Sequence, residues 1–296
     1  MGVSRSAYYD WRKCKTYQIP ESKASMEQQV KNTFQEHKSR YGARRIVHAI
    51  SQTGLKISRH QATGVLRKYG LKAIQPRSFI PRTTDSRHSY AISPNLLTNR
   101  PWPKRINEVW VCDITYIPLK DNCWCYLAVV MDLVSRKIIG WQLSDNMKEQ
   151  LVIGALLASI RKRKGLINLI IHSDRGGQYA SKLYRTILRR YNIEQSMSEA
   201  DNPYDNAFME SCFSRLKAEL IQGRQYENIE NARLDIFEYI EGYYNRKRLH
   251  SSLQYNSPEN FESLLENELH LKNTNKQLQF LQSNRSIINK ENLVSG

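Results

Sequence analysis

Apolar positions recur at helical spacing through the first quarter of the chain and give way to strand-like runs after residue 107. Ile46, Ala49, Ile50 and Thr53 lie three and four apart, and Gly54 stands where such a helix would stop. Ser58 precedes Gln61 by three residues, the spacing of a capping box, in which each side chain satisfies a free backbone N–H at the helix start. Ala62, Val65, Leu66 and Tyr69 make a second apolar stripe, with Arg59, Thr63, Arg67 and Lys68 off it. The pattern predicts helical structure over residues 24–72, including two short helices with a basic outer face on the second. That is the outline of a helix-turn-helix, although helical pairs with basic faces also serve as structural lids.

From Asn107 the period changes. Val109 to Ile117 is rich in β-branched and aromatic residues and predicts a strand; Asp121-Asn122 suits a turn, and Trp124–Val130 and Lys137–Leu143 predict two more strands in a meander. Asn146 to Glu149 is expected to cap a helix running to about Lys164, followed by a buried strand at Asn168–His172, a helix over about 181–191 and a strand near Ile193–Met197. Helices are expected from about Asp205 to Gln222 and about Asn228 to Asn245. The order βββαβαβα predicts an α/β fold. It is a ribonuclease-H-like mixed five-stranded sheet flanked by helices, preceded by a small all-α helix-turn-helix-like domain.

The intervening stretch, residues 73–106, holds Pro76, Pro81, Pro94, Pro101 and Pro103 together with several arginines. Proline removes backbone donors and disfavours helix before it, so this stretch reads as a stiff basic arm that tracks a DNA backbone, or else as a plain surface tether. The predicted organisation is therefore 1–72 as a basic DNA-binding domain, 73–106 as linker, 107–261 as a catalytic core with its C-terminal helices, and 262–296 as a polar tail, loosely ordered or partner-binding.

Charge sharpens the division. Of the chain's 296 residues, the first 106 carry 21 Lys+Arg against 5 Asp+Glu, and the rest carry 24 against 23. A polycationic end on a near-neutral body points to a polyanionic partner, nucleic acid first, because neutralised phosphates release counterions. No apolar run is long enough for a membrane span, and no signal-peptide core follows Met1, so a bacterial cytoplasmic location near the nucleoid is expected, with no membrane partner. The five cysteines match no disulfide or zinc framework; Cys123 and Cys125, two apart, are expected to pack on one strand face.

Three carboxylates carry the candidate chemistry. Asp113 sits among Val, Ile, Trp and Cys in the first strand, where a buried charge needs a partner. Asp174 closes the apolar strand ahead of Gly176-Gly177, and strand C-termini in such sheets are where ligands bind. Glu210 falls early in the helix expected from Asp205. Two strands and a helix can bring these groups onto hard cations, and an all-oxygen set suits Mg2+, with Mn2+ able to substitute. Two ions about 4 Å apart would clamp the attacking and leaving oxygens of an in-line displacement. Each residue alone also has a plain structural reading, as a turn, edge or solvated-face carboxylate.

The words around them carry a resemblance. Trp110-Val111-Cys112-Asp113-Ile114-Thr115-Tyr116-Ile117, His172-Ser173-Asp174-Arg175-Gly176-Gly177-Gln178-Tyr179 and Asn202-Pro203-Tyr204-Asp205-Asn206-Ala207-Phe208-Met209-Glu210-Ser211 resemble the OrfB transposases of insertion-sequence family three, relatives of retroviral integrases. Asp174 and Glu210 have 35 residues between them, the spacing of that family's Asp-Asp-Glu signature. Tyr243-Tyr244-Asn245, Arg248 to Leu253 and Ser257-Pro258-Glu259 fit too, and Tyr41 to Ile46 is similar to the family's helix-turn-helix segment. The resemblance implies a DDE transposase that cuts one strand at an insertion-sequence end and transfers it, by a copy-out, paste-in route through a circular intermediate. It implies Asp113, Asp174 and Glu210 as catalytic metal ligands and Lys217 as a holder of transposon-end DNA. Arg44, Arg45, Arg59 and Arg67 are the expected DNA contacts of the N-terminal domain. Implied partners are transposon-end and target DNA, further copies of the chain assembled on DNA, and the product of an upstream reading frame fused to it. His172 is expected either to contact DNA or to pack at the strand end, and Asp132 and Asp205 to serve structural roles.

Two departures stand out. Glu199-Ala200-Asp201 replaces the family's Arg-Lys-Gly, setting acidic groups where a basic loop would meet phosphate, and Cys112 stands in place of Thr. The competing readings are a catalytically silent, sequence-specific DNA-binding regulator and a ribonuclease H acting on RNA–DNA hybrids; neither accounts for both the basic N-terminal region and the three carboxylates.

Overall fold

The computed structural model describes residues 4–13, 21–75, 91–98, 100–198, 214–221, 225–268 and 271. The chain divides into two compact units, Met1–Gln75 and Pro76–Gly296.

In the first unit, α1 (Arg5–Arg12) is capped by Ser4 and buries none of its residues; Tyr8, Tyr9 and Trp11 are all exposed. A three-helix cluster follows. Val30 and Phe34 of α2 (Glu21–Glu36), Ile46 and Ile50 of α3 (Ala43–Ser51) and Ala62, Val65 and Leu66 of α4 (Arg59–Lys68) are buried where these helices pack on one another. The capping box is realised: Gln61 N donates to Ser58 Oγ at 3.2 Å, and Ser58 N to Gln61 Oε1 at 2.8 Å. Gly54, just past α3, has φ +91°, the left-handed conformation that stops a helix at low steric cost. Tyr69 departs from the expected stripe. It is exposed along its ring, and its hydroxyl donates at 2.8 Å to Glu27, whose buried carboxylate also takes Lys68 Nζ at 2.7 Å. A carboxylate at that depth needs such donors, so Lys68 is spent on structure.

The second unit is built on β1 (Val109–Pro118), β2 (Trp124–Asp132), β3 (Ile138–Ser144), β4 (Ile170–Ser173) and β5 (Glu194–Met197), in the order β3-β2-β1-β4-β5. β1, β2 and β3 pair antiparallel; β4 and β5 add in parallel to β1. This is the mixed five-stranded sheet that the pattern predicts. The strands are apolar on both faces because both are covered. Trp110, Cys112, Ile139 and Ile171 point towards α5 (Glu149–Lys162) and α7 (Lys182–Arg190), with the short α6 (Gly177–Ala180) before α7. Val109, Val111, Val129 and Ile170 point to the other side. There they meet Leu216 and Leu220 of α8 (214–221), Ile236 of α9 (Ile229–Phe237), and Tyr239 and Ile240 of the π-helix Glu238–Tyr244 that continues it.

Several expectations are corrected here. The expected linker is not a free arm throughout: Leu96 and Leu97 pack on the core, Leu96 N donates to Ser196 Oγ at 2.9 Å and Met197 N to Pro94 O at 3.4 Å. Residues 91–98 thus lie along β5, supplying partners to an edge strand that would otherwise carry unpaired groups. The core does not stop at residue 261. A helix, α10, spans 258–268, and its buried Glu262 takes bonds from Ser135 Oγ (2.7 Å), Lys137 Nζ (3.0 Å) and Arg163. Within the expected capping stretch Asn146–Glu149 the N-cap of α5 is Lys148, and the Asn146 side chain accepts from Lys148 N at 3.3 Å. Cys125 is buried as expected, but Cys123 precedes β2 and is exposed, so the two do not share a packed face. The expected helix from Asp205 lies largely outside the described residues, apart from 214–221.

Candidate active site

The register of β1 and β4 places the two aspartates. Val111 pairs with His172, the last pair of that ladder, and two residues beyond them stand Asp113, still in β1, and Asp174, just past the end of β4. Alternation gives them a common face: Asp113 follows Val109 and Val111, and Asp174 follows Ile170 and His172, on the side of the sheet covered by α8. Both are half-buried. A backbone N–H orients each carboxylate, with Ile114 N donating to Asp113 Oδ1 at 2.8 Å and Gly176 N to Asp174 Oδ1 at 3.0 Å. A Cβ at Gly176 would stand 3.1 Å from that same Asp174 oxygen, so the turn beside the site has little room for a side chain.

The groups around them settle which donors are offered. Burial pushes the Cys112 thiol up, helped by the charges of Asp174 and Asp113, so it stays protonated; it donates to His172 O at 3.4 Å. Burial likewise raises Tyr179 well above the ordinary phenol range, with Cys112, Asp174 and Asp113 adding to it. His172 is buried, its Nδ1 2.8 Å from Ser196 Oγ, which makes it a packed strand-end histidine. Asp132 is fully buried and accepts from the backbone N–H groups of Asn107, Val134 and Ser135 at 2.7–2.9 Å, a structural role as expected. What remains exposed to a ligand is oxygen, the donor set that suits a hard divalent cation.

Glu210 lies outside the described residues, as do Asp205 and Glu199-Ala200-Asp201. Lys217 is half-buried on α8, between the core residues Leu216 and Leu220 in sequence but outside their cluster. In the first unit Arg44, Arg59 and Arg67 are exposed, and Arg45 lies 5.6 Å over the Tyr41 ring.

Comparison with known proteins decides the family. An integrase core domain matches residues 103–203 and again 191–258, and an HTH-like domain matches residues 21–79. The transposase for insertion sequence element IS904 of Lactococcus lactis is 40% identical over 237 residues, 80% of this chain and 93% of that protein. The chain belongs to the insertion-sequence transposases. Transposase InsF for insertion sequence IS3A of Escherichia coli is 39% identical over 263 residues, 88% of this chain and 91% of its own. Among solved structures, the catalytic core domain of BIV integrase is similar at 20% identity and a TM-score of 0.40, covering 56% of this chain and 98% of that one. This transposase is a DNA enzyme of the DDE type, a class of polynucleotidyl transferase that depends on divalent metal, with an HTH-like region ahead of its core. No helix among the described residues is long and apolar enough to cross a membrane.

Two groups in the transposase core went unread in the sequence. Glu219, on the helix of Lys217, is buried and takes Arg248 Nε and Nη2 at 2.6 Å each, and Tyr239 Oη at 3.1 Å. Burial opposes the Arg248 charge, but the Glu219 carboxylate outweighs it and lifts the guanidinium further above its ordinary value. Only the span of 29 residues between them in the chain hid the pair, since local patterning reports nothing at that distance. Thr115, two residues past Asp113 on the same face, is buried, and its hydroxyl has no hydrogen-bond partner among the described residues.

Proposed function

We propose that Asp113, Asp174 and Glu210 are the catalytic metal ligands of this transposase, holding two Mg2+ ions, or Mn2+ in their place. The observation that carries the reading is that Asp113 of β1 and Asp174, just past the end of β4, follow the paired residues Val111 and His172 on the sheet face that receives α8, the helix whose described part begins four residues after Glu210. Bound metal would supply Lewis-acid stabilisation to the attacking and leaving oxygens of a phosphodiester.

The chain's own residues prepare that site. The N–H groups of Ile114 and Gly176 fix the two carboxylates before substrate arrives, so little reorganisation is left for the reaction. Lys217 holds transposon-end DNA by its phosphates. Arg44, Arg45, Arg59 and Arg67 contact DNA from the N-terminal region, whose boundary with the linker lies near residue 72. In the reaction, water bonds to phosphorus as the bond to the 3′ oxygen breaks. The freed 3′-hydroxyl then attacks a phosphodiester of target DNA, so no covalent protein–DNA bond is needed. The working form is an oligomer on DNA, fused to the product of an upstream frame, and it acts at the bacterial nucleoid.

The test is strand cleavage and joining on DNA carrying the element's own ends, with Mg2+ or with chelator, for wild type, Asp113→Asn, Asp174→Asn and Glu210→Gln. Metal-dependent cleavage lost in all three variants while DNA binding persists is the expected result. Binding without cleavage even in the wild type would favour the silent regulator.

A further inference from the structure

Beyond residue 106 the chain is nearly charge-balanced, with 24 Lys+Arg against 23 Asp+Glu, so a local surplus of one sign comes from placement. One edge of the core has such a surplus. β1, β4 and β5 are parallel, and their starts adjoin: Ile170 N donates to Glu108 O at 3.1 Å, and Glu194 N to Leu169 O at 2.9 Å. α5 leads from β3 back to the start of β4, and α7 from the end of β4 back to the start of β5. Both helices therefore run against the parallel strands and end at this one edge.

Their last turns bring cations there. Arg161 lies at the end of α5 and Lys164 just beyond it; Arg189 and Arg190 end α7. All four are exposed, and none pairs with an acid among the described residues. Their neighbours Lys162 and Arg163, by contrast, are matched to Glu241 and Glu262. Exposed Lys104 and Arg105 are tied to the same edge, since the backbone N–H of each donates to the Glu108 carboxylate at 3.2 Å. Arg105 Nε is also 3.8 Å from that carboxylate, and exposed Glu194 begins β5, so the surplus rests on the four helix-end cations and Lys104. Cations at helix C-termini also offset the helix dipole, but that effect fades within the last turn and does not reach Lys104, Arg105 or Lys164.

Asp174 lies past the far end of β4, and α7 alone sets its two ends about 12 Å apart. This is not the edge where a scissile phosphodiester would lie. We propose that it is a second DNA-binding surface, one that grips the sugar–phosphate backbone of duplex DNA lying away from the reacting phosphodiester at Asp113 and Asp174. The inference rests on the transposase reading, in which the DNA flanking the reacting phosphodiesters must also be held while two segments are joined. Backbone-only contact suits a segment whose sequence is not constrained.

The experiment measures binding of the full chain to a duplex without element ends, in chelator, across a range of salt. Each neutralised phosphate contributes ~0.9 to the slope of log affinity against log salt, so Arg161→Gln/Lys164→Gln/Arg189→Gln/Arg190→Gln should flatten it by about 3–4. The pair Arg189→Gln/Arg190→Gln should flatten it by about 2, and the charge-preserving Arg161→Lys/Arg189→Lys/Arg190→Lys should leave it unchanged. With element ends and Mg2+, the fourfold variant should still cleave, while joining to a second duplex falls about tenfold or more at physiological salt. An unchanged slope in the glutamine variants overturns the proposal and leaves these residues as helix-end charges. Failure of the transposase reading would show separately, as wild-type protein that does not cleave with metal.

Discussion

The backbone N–H of Gly176 donates to Asp174 Oδ1 at 3.0 Å, and a methyl group in place of the Gly176 hydrogen would stand 3.1 Å from that same oxygen. The turn thus both orients the carboxylate and crowds it. Gly176→Ala should displace Asp174 by a few tenths of an ångström without unfolding the sheet. A 1 Å misplacement of a reacting group costs about 100-fold, so a loss of about tenfold in strand cleavage is expected, with DNA affinity kept. Single-turnover cleavage beside a binding titration checks this; unchanged cleavage would remove Gly176 from the site.

Arg248 and Glu219 are both buried, and either alone would leave an unpaired charge in the core. Arg248→Ala should cost about 3–5 kcal/mol of stability, and Arg248→Met with Glu219→Leu should restore most of it. Urea denaturation of the three proteins reads this directly. Equal losses in the single and double variants would mean that packing, rather than charge, dominates there.

Gly140 lets α5 approach β3. A Cβ there would fall 2.1 Å from Ser159 Oγ and 2.4 Å from Ala155 O, and the second of these is helix backbone that cannot step aside. Gly140→Ala should therefore cost about 1–3 kcal/mol or more by overpacking. Gly165→Ala, where space is open but φ is +64°, tests backbone strain alone. A loss at Gly140 no greater than at Gly165 would argue against the close approach.

Glu262 gives a pH prediction. Burial opposes its charge, but bonds from Arg163 and Ser135 and the charge of Lys137 hold its carboxyl below the ordinary glutamate value. A depressed folded pKa contributes stability that is present above the unfolded value, about 4.3, and lost as pH falls through the folded one. Stability should thus decline below about pH 4 more steeply in wild type than in Glu262→Gln. Denaturation midpoints between pH 3 and 6 would show it, and parallel curves for the two proteins would contradict it.

The sequence by itself determined whatever depends on near neighbours. The capping box at Ser58 and Gln61, the strand around Asp113, the apolar run into Asp174 and the helix ending at Arg190 all follow from periodicity and turn chemistry within a dozen residues. The motif words around Asp113, Asp174 and Glu210 were equally legible, because each is a contiguous stretch. Tertiary structure alone decided what joins distant segments. It laid residues 91–98 along β5, drew α10 into the core through Glu262, set Lys68 over the buried Glu27 and paired Glu219 with Arg248. The physical reason is common to all four. A buried charge or an unpaired strand edge must find a partner, but the partner's place in the chain is set by which elements the sheet brings together, and no local pattern records that.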